Sequence, residues 1–443
     1  DVIMASGIPQ NDPFSYTMPS FPFVDHEWLT NVLISYVYSF FGIWGLAFCF
    51  SLLAAFAVGV SSLRAKVISF KKGRVEVEDK FHERVGINTI IPNIVTLLSV
   101  STLLPFFGVR PQVLSWFFLG LVLWLLFEKW GNAKWRLAIP ILVLIWTNMH
   151  GSFVIGVGVL FFVLFLRLVK TRKLKIFEIA VLAATLAVTF LNPYGIRLWG
   201  EVWMQISDSS LRFSISEWMP AILMVDFSFI SLLVLSTSLI YRFRNKFRKE
   251  EFILYFLVLF SAILSRRHVP LWVIVALPMT TACLDYFYDE VRLIKQAKAR
   301  LRSVYIYAWF GALLIFSSQA FFSLRSAYLL SQDKYYPAQA SAYLRANSSG
   351  GNIFSEYGWG GYLNWKLPEK RVFIDGRMPS WKWKKPAEGE LGNAFDTYIK
   401  LLEGKIDYKE IFKNFEVDTV LWPKIVAKGA IDILAERIEN FFV

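Results

Sequence analysis

Residues 42–62, GIWGLAFCFSLLAAFAVGVSS, contain no charged side chain. A helix needs about 20 mainly apolar residues to cross the hydrocarbon core of a bilayer, and this stretch has that length. The whole chain has the same character, with 56% hydrophobic and 17% aromatic residues and a mean hydropathy of +0.46. These values exceed what a soluble core of this length requires. We therefore expect a polytopic α-helical membrane protein.

The spacing of the apolar runs predicts about ten membrane spans. A further amphipathic helix, 29–40, is expected to lie along the interface. Because residues 1–27 resemble an external loop, one more helix is expected before residue 1. The predicted spans are 42–62, 86–107, 112–127, 137–149, 152–169, 176–191, 221–241, 252–265, 271–287 and 304–324.

The basic residues divide the connecting loops into two classes. The loops 63–85, 128–136, 170–175, 242–251 and 288–303 contain 24 Lys and Arg residues, whereas the opposite loops contain five arginines. Lys and Arg in short loops favour the cytoplasmic side, so the second class is predicted to be extracytoplasmic. The net charge of +13 is then explained by membrane orientation, and no nucleic-acid partner is expected. The two cysteines, Cys49 and Cys283, lie in apolar runs and indicate neither a disulfide framework nor a thiolate metal site.

The composition changes after Leu324. Residues 325–443 are too polar and too rich in Gly and Pro to cross a membrane. We expect a small extracytoplasmic α/β domain there, following a first external loop at 1–27 and a helical bundle at 28–324. Short strands are predicted at 352–354, 371–375 and 418–422, and helices at 394–403 and 430–441.

Ionisable residues collect at the predicted outer ends of the spans. Three of the four histidines are there, whereas His82 lies in a cytoplasmic loop. Ionisable groups at membrane depth are costly unless they are paired or solvated, so they are candidates for function. The candidates are Asp25, His26, Glu27, His150, Asn192, Tyr194, Glu217, Arg266, Arg267 and His268.

Each candidate also has a simpler interpretation. Asp25 and Glu27 could cap the helix from Trp28, and Arg266 and Arg267 could anchor a helix at the headgroups. His150 and His268 could be ordinary hydrogen-bonded residues at the interface. Asn192-Pro193-Tyr194-Gly195 is typical of a helix stop followed by a turn. Only the joint placement of these residues favours a site.

A carboxylate beside two arginines suits transfer of a group from a lipid-linked phosphate. Asp25 would take a proton from an acceptor hydroxyl while Arg266 and Arg267 neutralise the departing phosphate. His150, His268 or Glu217 would orient the pair. Alternatively, a divalent cation such as Mg²⁺ or Mn²⁺, held by Asp25, Glu217 and His150, would neutralise the phosphate. No P-loop, dinucleotide fingerprint, H-E-x-x-H or G-x-S-x-G motif is present.

Several motifs, taken in their order along the chain, resemble those of bacterial GT-C glycosyltransferases, which are multi-spanning membrane enzymes. The resemblance implies a polyprenyl-phosphate-linked sugar as donor, a protein or glycan acceptor, and catalysis at the outer face of the bacterial cytoplasmic membrane. It assigns the catalytic carboxylate to Asp25 first and to Glu27 second. The matching segments are Gly7–Pro9, Asp12–Thr17, Asp25–Leu29, Trp146–Gly151, Asn192–Gly195, Glu217–Trp218, Tyr357–Leu363 and Phe373–Arg377.

The C-terminal segment is also similar to the external domain of oligosaccharyltransferase catalytic subunits, which reads the acceptor peptide. The double-Trp-Asp order of that family is absent here. Alternatively, Gly360 and Gly361 permit a tight strand-to-helix turn and close packing on the strand ending at Asp375, and Asp375 pairs with Arg377. The acceptor-side candidates are Glu356, Tyr357, Trp359, Asp375 and Arg377.

Two other functions compete with transfer. A transporter or flippase of lipid-linked glycans would also bind a lipid phosphate, but it should line a path through the midplane with polar residues. A non-catalytic membrane scaffold would use its external domain to bind a partner.

Overall fold

The computed structural model describes residues 2–71, 93–208, 217–223, 226–292, 298–329, 335–347 and 350–423. The predicted helix 430–441, His82 and the first part of the predicted span 86–107 lie outside these residues. The described chain is mostly helical, with one small sheet of two strands. It forms two compact units: the first contains 26–198 and 212–324, and the second contains 2–25, 199–211 and 325–443.

The first unit is a bundle of apolar helices. Among the described residues, five helices are long and apolar enough to cross a membrane, so this is an integral membrane protein; the number of spans stays a prediction. Shorter apolar helices accompany them. The helices are α2 (Trp28–Lys71), α3 (Asn93–Phe106), α4 (Gln112–Trp124), α5 (Ala133–Met149), α6 (Phe153–Thr171), α7 (Ile176–Val188), α9 (Phe227–Arg242), α10 (Lys249–Leu264), α11 (Val269–Arg292) and α12 (Lys298–Leu329), with α1 (Val2–Ser6) and α8 (Arg197–Ser207) assigned mainly to the second unit.

Helix α11 is the centre of the bundle. It packs against α2, α4, α9 and α10, and most of its apolar length is buried inside the bundle. By contrast, Phe41 and Trp44 of α2 are 72% and 83% exposed. Large apolar side chains presented to the outside in this way are typical of a helix in contact with lipid, which is the expected environment of a spanning helix.

Helix α2 is interrupted at Gly42, where φ is 60° and ψ is −160°. A side chain would be strained in this conformation, so glycine is required. The break separates the two apolar segments that the sequence predicted as 29–40 and 42–62. Their predicted difference in orientation, one along the interface and one across the bilayer, stays a prediction.

Close packing joins the ends of α5 and α6. A Cβ atom on Gly156 would lie 2.7 Å from the ring of Trp146, so only glycine leaves room for this fully buried indole. Trp146 also stacks on Phe118 of α4, with ring centroids 5.4 Å apart. The loop after α5 is thereby held in a fixed position.

The second unit has an aromatic core built from distant parts of the sequence. Phe21 stacks on Trp381 at 4.3 Å, and Tyr16 meets Phe373 edge to face at 5.9 Å. The predicted first external loop therefore contributes to the core of this unit. The elements after Arg325 are α13 (Ala338–Ala346), β1 (Asn352–Ser355), α14 (Gly360–Lys366), α15 (Ala394–Leu402), α16 (Tyr408–Asn414) and β2 (Val417–Leu421).

The sheet agrees with two of the three predicted strands. β1 and β2 pair in parallel, and α15 confirms the predicted helix 394–403. The strand predicted at 371–375 does not form as a continuous strand. Val372 alone makes isolated parallel bridges to Ser15 and Ile353, because the chain turns at Asp375 and remains extended for too few residues.

Candidate active site

The first unit brings Glu27, His26 and His150 together. Glu27 Oε1 lies 3.2 Å from His150 Nε2 and 3.6 Å from His26 Nε2. The contact between Glu27 Oε1 and His150 Nε2 is within ion-pair distance, but it lacks the geometry of a hydrogen bond. The rings of the two histidines meet edge to face with centroids 6.2 Å apart. The Glu27 side chain is 24% exposed and that of His150 only 5%, so the histidine forms the floor of the cluster.

His150 is placed by the end of α5. Its backbone is extended at φ −164° and ψ 138°, and its N–H donates to the carbonyl of Trp146, which ends the helix. Gly151 follows, and a Cβ atom there would lie 3.0 Å from Cδ2 of His26. Glycine at this position therefore lets the two imidazole rings approach each other.

The start of α2 is tied to the same loop. Trp28 Nε1 donates to Asn148 Oδ1 at 3.0 Å, and Thr30 Oγ1 donates to the carbonyl of Met149 at 2.6 Å. Glu27 accepts the N–H of Asn31 through its own carbonyl, at 2.8 Å, and thus begins the helix. A carboxylate at a helix N-terminus is favoured by the helix dipole.

The hydrogen bonds on the other side of His150 are made by two serines. Ser152 N–H donates to Nδ1 at 3.0 Å, and Ser152 Oγ lies 2.6 Å from the same atom. Ser115 Oγ lies 3.2 Å from Nδ1 and also contacts the hydroxyl of Ser152. The indole N–H of Trp146 donates to Ser152 Oγ at 3.0 Å.

Burial and charge act against each other at this cluster. Burial raises the pKa of the Glu27 carboxyl, but the two histidines and Arg267 outweigh it, so the pKa lies below its ordinary value. Burial lowers the pKa of His150 by more than Glu27 raises it. At neutral pH we therefore assign an ionised Glu27 beside a neutral His150.

The predicted arginines lie in a 3-10 turn, Arg266–His268, between α10 and α11. The backbone N–H groups of Arg266 and Arg267 donate to the carbonyls of Met219 and Glu217, at 2.9 and 3.0 Å. The Arg267 guanidinium lies over the ring of Trp218, 4.6 Å from its centroid, and acts electrostatically on Glu27. A positive charge therefore stands near the Glu27 carboxylate.

The other predicted supporting groups have local partners. Arg266 lies over the ring of Phe106 at 5.2 Å, and Glu217 forms an ion pair with Arg110. His268 Nδ1 lies 2.8 Å from the hydroxyl of Ser261 on α10. These contacts fix the turn at the end of α10 and explain how the two arginines are positioned.

Asn192 and Tyr194 organise a turn. Asn192 Nδ2 donates to the carbonyl of Thr189 at 2.8 Å, and its Oδ1 accepts the N–H of Tyr194 at 2.9 Å. Gly195 follows with φ 54°. Because Leu191 O accepts from Asn148, at 3.0 Å, this turn also supports the loop before His150.

The described groups do not fit the proposed divalent cation. No cluster of three or more His, Cys, Asp or Glu side chains in the described ranges could hold a metal ion. The Glu217 carboxylate is paired with Arg110, and both ring nitrogens of His150 face protein atoms.

The remaining predicted residues belong to the second unit. Asp25 is the last residue of the segment 2–25 of the second unit, whereas Glu27 belongs to the first unit. Burial raises the pKa of Glu356, although hydrogen bonds from the backbone N–H groups of Gly358 and Trp359 act to lower it. Tyr357 meets Phe395 edge to face at 5.5 Å, and Trp359 is buried. Asp375 and Asp12 both bind Arg377: Asp375 Oδ2 lies 2.5 Å from Nη2 and Asp12 Oδ1 lies 2.9 Å from Nη1.

Gly360 explains part of the glycine motif. A Cβ atom on it would lie 2.4 Å from the carbonyl oxygen of Ile374 and 2.7 Å from Cβ of Asp375. The predicted close packing on the segment ending at Asp375 is therefore confirmed for Gly360. It is wrong for Gly361, whose Cβ would meet nothing within 4 Å.

The sequence did not predict the two serines that contact His150. Ser152 is two residues from His150, and its proximity was a usable signal, whereas nothing local marks Ser115. The sequence also did not predict a buried charge cluster in which Arg64 binds Glu251 at 3.0 Å and lies 4.0 Å from Glu128. The sequence predicts Arg64 in the loop 63–85, but α2 continues to Lys71.

No protein-family model matches the chain, and no curated protein matches it.

Proposed function

We propose that this protein is an integral-membrane glycosyltransferase that moves a sugar from a polyprenyl-phosphate carrier to a hydroxyl acceptor at the extracytoplasmic face. The observation that carries the proposal is the Glu27 carboxylate, 3.2 Å from His150, with Arg267 acting on it electrostatically. The motif resemblance to GT-C enzymes and the five long apolar helices in the described ranges support it.

Glu27 replaces Asp25 as our first candidate for the base. Its pKa is below the ordinary value, so it is ionised at neutral pH, and its side chain is 24% exposed. A carboxylate that is ionised and accessible can accept a proton from a substrate hydroxyl. Asp25 remains a candidate that the same experiment separates from Glu27.

The proposed sugar transfer needs no reagent other than the donor and the acceptor. The acceptor O–H transfers its proton to Glu27, and the oxygen forms a bond to the anomeric carbon of the donor sugar. The bond between that carbon and the phosphate oxygen breaks, and its electron pair leaves with the phosphate. Arg267 and Arg266 would stabilise the negative charge, since guanidinium groups match phosphate geometry.

The test measures release of polyprenyl phosphate by the purified full chain from radiolabelled polyprenyl-phosphate hexoses, with a membrane extract as the source of acceptors. Glu27→Gln should lower turnover by about 100-fold or more, because general-base catalysis contributes about 10² to 10⁴. Arg267→Gln should lower it as well. Glu290→Gln is the matched control, since Glu290 is exposed and pairs only with Arg242 in the described contacts.

Asp25→Asn completes the set. A larger loss in Asp25→Asn than in Glu27→Gln would return the role of base to Asp25. If both variants are folded and transfer sugar at the wild-type rate, neither carboxylate is the base. If the wild-type chain releases no polyprenyl phosphate from any of the donors, the glycosyltransferase proposal is refuted.

A further inference from the structure

The hydrogen bonds around His150 determine which of its ring nitrogens carries the proton. The backbone N–H of Ser152 donates to Nδ1 at 3.0 Å. A backbone N–H can only donate, so Nδ1 must present its lone pair. The proton of the neutral ring is then on Nε2, the atom 3.2 Å from Glu27 Oε1.

The serine hydroxyls support the same arrangement. Trp146 Nε1–H donates to Ser152 Oγ at 3.0 Å, and an indole has no acceptor to offer in return. The proton of the Ser152 hydroxyl is therefore free to point to Nδ1, 2.6 Å away, or to Ser115. Both orientations are compatible with an unprotonated Nδ1.

Protonation of His150 would disturb this network. The imidazolium carries a proton on Nδ1, which would face the proton on the Ser152 nitrogen. Three other charged or titratable groups act on the ring: Glu27 favours its protonation, whereas His26 and Arg267 oppose it. The serine loop therefore acts in the same direction as His26 and Arg267.

We propose that Ser152 is a positioning residue that holds His150 as the neutral Nε2–H tautomer, so that the protonated nitrogen is the one that faces Glu27 and the carboxylate stays ionised. His150 then acts neither as a base nor as a metal ligand. The role of Glu27 as base rests on the proposed function, whereas the state of His150 does not.

Histidine NMR tests the proposal on the full chain in detergent. The protein contains only four histidines, so ring-labelled histidine gives a spectrum that His150→Gln can assign. We expect the carbon and nitrogen shifts of His150 to report an unprotonated Nδ1 and a protonated Nε2. The ring should stay neutral as the pH is lowered through 6.5, the ordinary pKa of histidine.

Variants separate the two donors. Ser152→Pro removes both the N–H and the hydroxyl and should raise the pKa of His150 by about one unit, with both tautomers present. Ser152→Ala keeps the N–H and should retain the Nε2–H tautomer with a smaller rise. Ser152→Thr should match the wild type. Ser99→Ala is the control, because Ser99 Oγ is buried and makes no hydrogen bond in the structure.

Several results would overturn the proposal. A proton on Nδ1 in the wild type contradicts it directly, and this measurement holds even if the proline variant does not fold. A folded Ser152→Pro variant with an unchanged His150 titration also contradicts it. If the tautomer is as expected but Glu27→Gln retains full transfer activity, the role of Glu27 as base fails and the assignment of His150 stands. If the wild type transfers no sugar, the proposed function fails and the assignment of His150 still stands.

Discussion

Replacing Arg377 by methionine should strongly destabilise the second unit. The guanidinium binds two carboxylates, and the side chains of Asp375 and Asp12 are only 2% and 0% exposed. Methionine keeps much of the apolar volume of the arginine stem but leaves both charges without their cation. Removing one partner of a buried ion pair costs about 3–5 kcal/mol.

The hydrogen bonds that remain in Arg377→Met limit the loss of stability. Asp12 still accepts the N–H groups of Phe14 and Ser15, at 3.2 and 2.9 Å, and Asp375 still accepts from Asn364 at 3.0 Å. Because these bonds persist, we expect the loss to lie within the range for one broken pair, about 3–5 kcal/mol, rather than at twice that value.

Hydrogen exchange of the full chain in detergent measures this change. A two-unit membrane protein is not expected to unfold in a single step, so local opening is the better observable. Amides in residues 2–25 and 371–383 should exchange about 100-fold faster or more, since 1.4 kcal/mol corresponds to a factor of ten. Arg345→Met is the control, because that arginine is exposed and donates to one backbone carbonyl, with an expected change of about 0.5 kcal/mol or less. An Arg377→Met variant within about 1 kcal/mol of the wild type would refute the reasoning.

Two further predictions concern the packing and the pH response. Gly360→Ala should destabilise the second unit by about 1–3 kcal/mol, because the added Cβ would lie 2.4 Å from the carbonyl oxygen of Ile374. Gly361→Ala should be neutral or slightly stabilising, because its Cβ would meet nothing within 4 Å. Hydrogen-exchange rates of amides near residue 374 check both variants. The pKa values of His150 and Glu27 are both lowered on folding, so the stability they contribute is present above their unfolded values, 6.5 and 4.5, and is lost as the pH falls below each. The midpoint temperature of thermal unfolding should therefore decrease as the pH is lowered from about 7 to 5.5. A His150→Gln variant whose midpoint decreases equally steeply would contradict the assignment.

Local patterns were sufficient to predict most helices. The apolar run 152–169 corresponds to α6, Phe153–Thr171, because a span of that length needs only hydrophobicity and its flanking breaks. Helix α8 was missed, since Arg197–Ser207 mixes apolar and polar residues and lies in what the charge pattern marked only as an external loop.

Contacts between distant parts of the chain were not predictable in the same way. The histidines at the outer ends of the spans were identified from topology, and the structure joins His26 and His150 through Glu27. Ser115 carries no local signal, because its role depends on how α4 packs beside α5. The pairing of Arg377 with Asp12 was likewise invisible, since only the folded unit brings the two segments together.

The chain segments that form the second unit restrict the membrane topology. Thr17 donates to the carbonyl of Phe373 at 2.7 Å, and Tyr16 donates to that of Ile353 at 3.1 Å, so the two ends of the described chain share one core. A bilayer cannot separate groups that share a core, and the chain between 26 and 324 must therefore cross it an even number of times. Five crossings, one for each long apolar helix in the described ranges, would not satisfy this parity. The ten predicted spans meet the condition, and the number of spans stays a prediction.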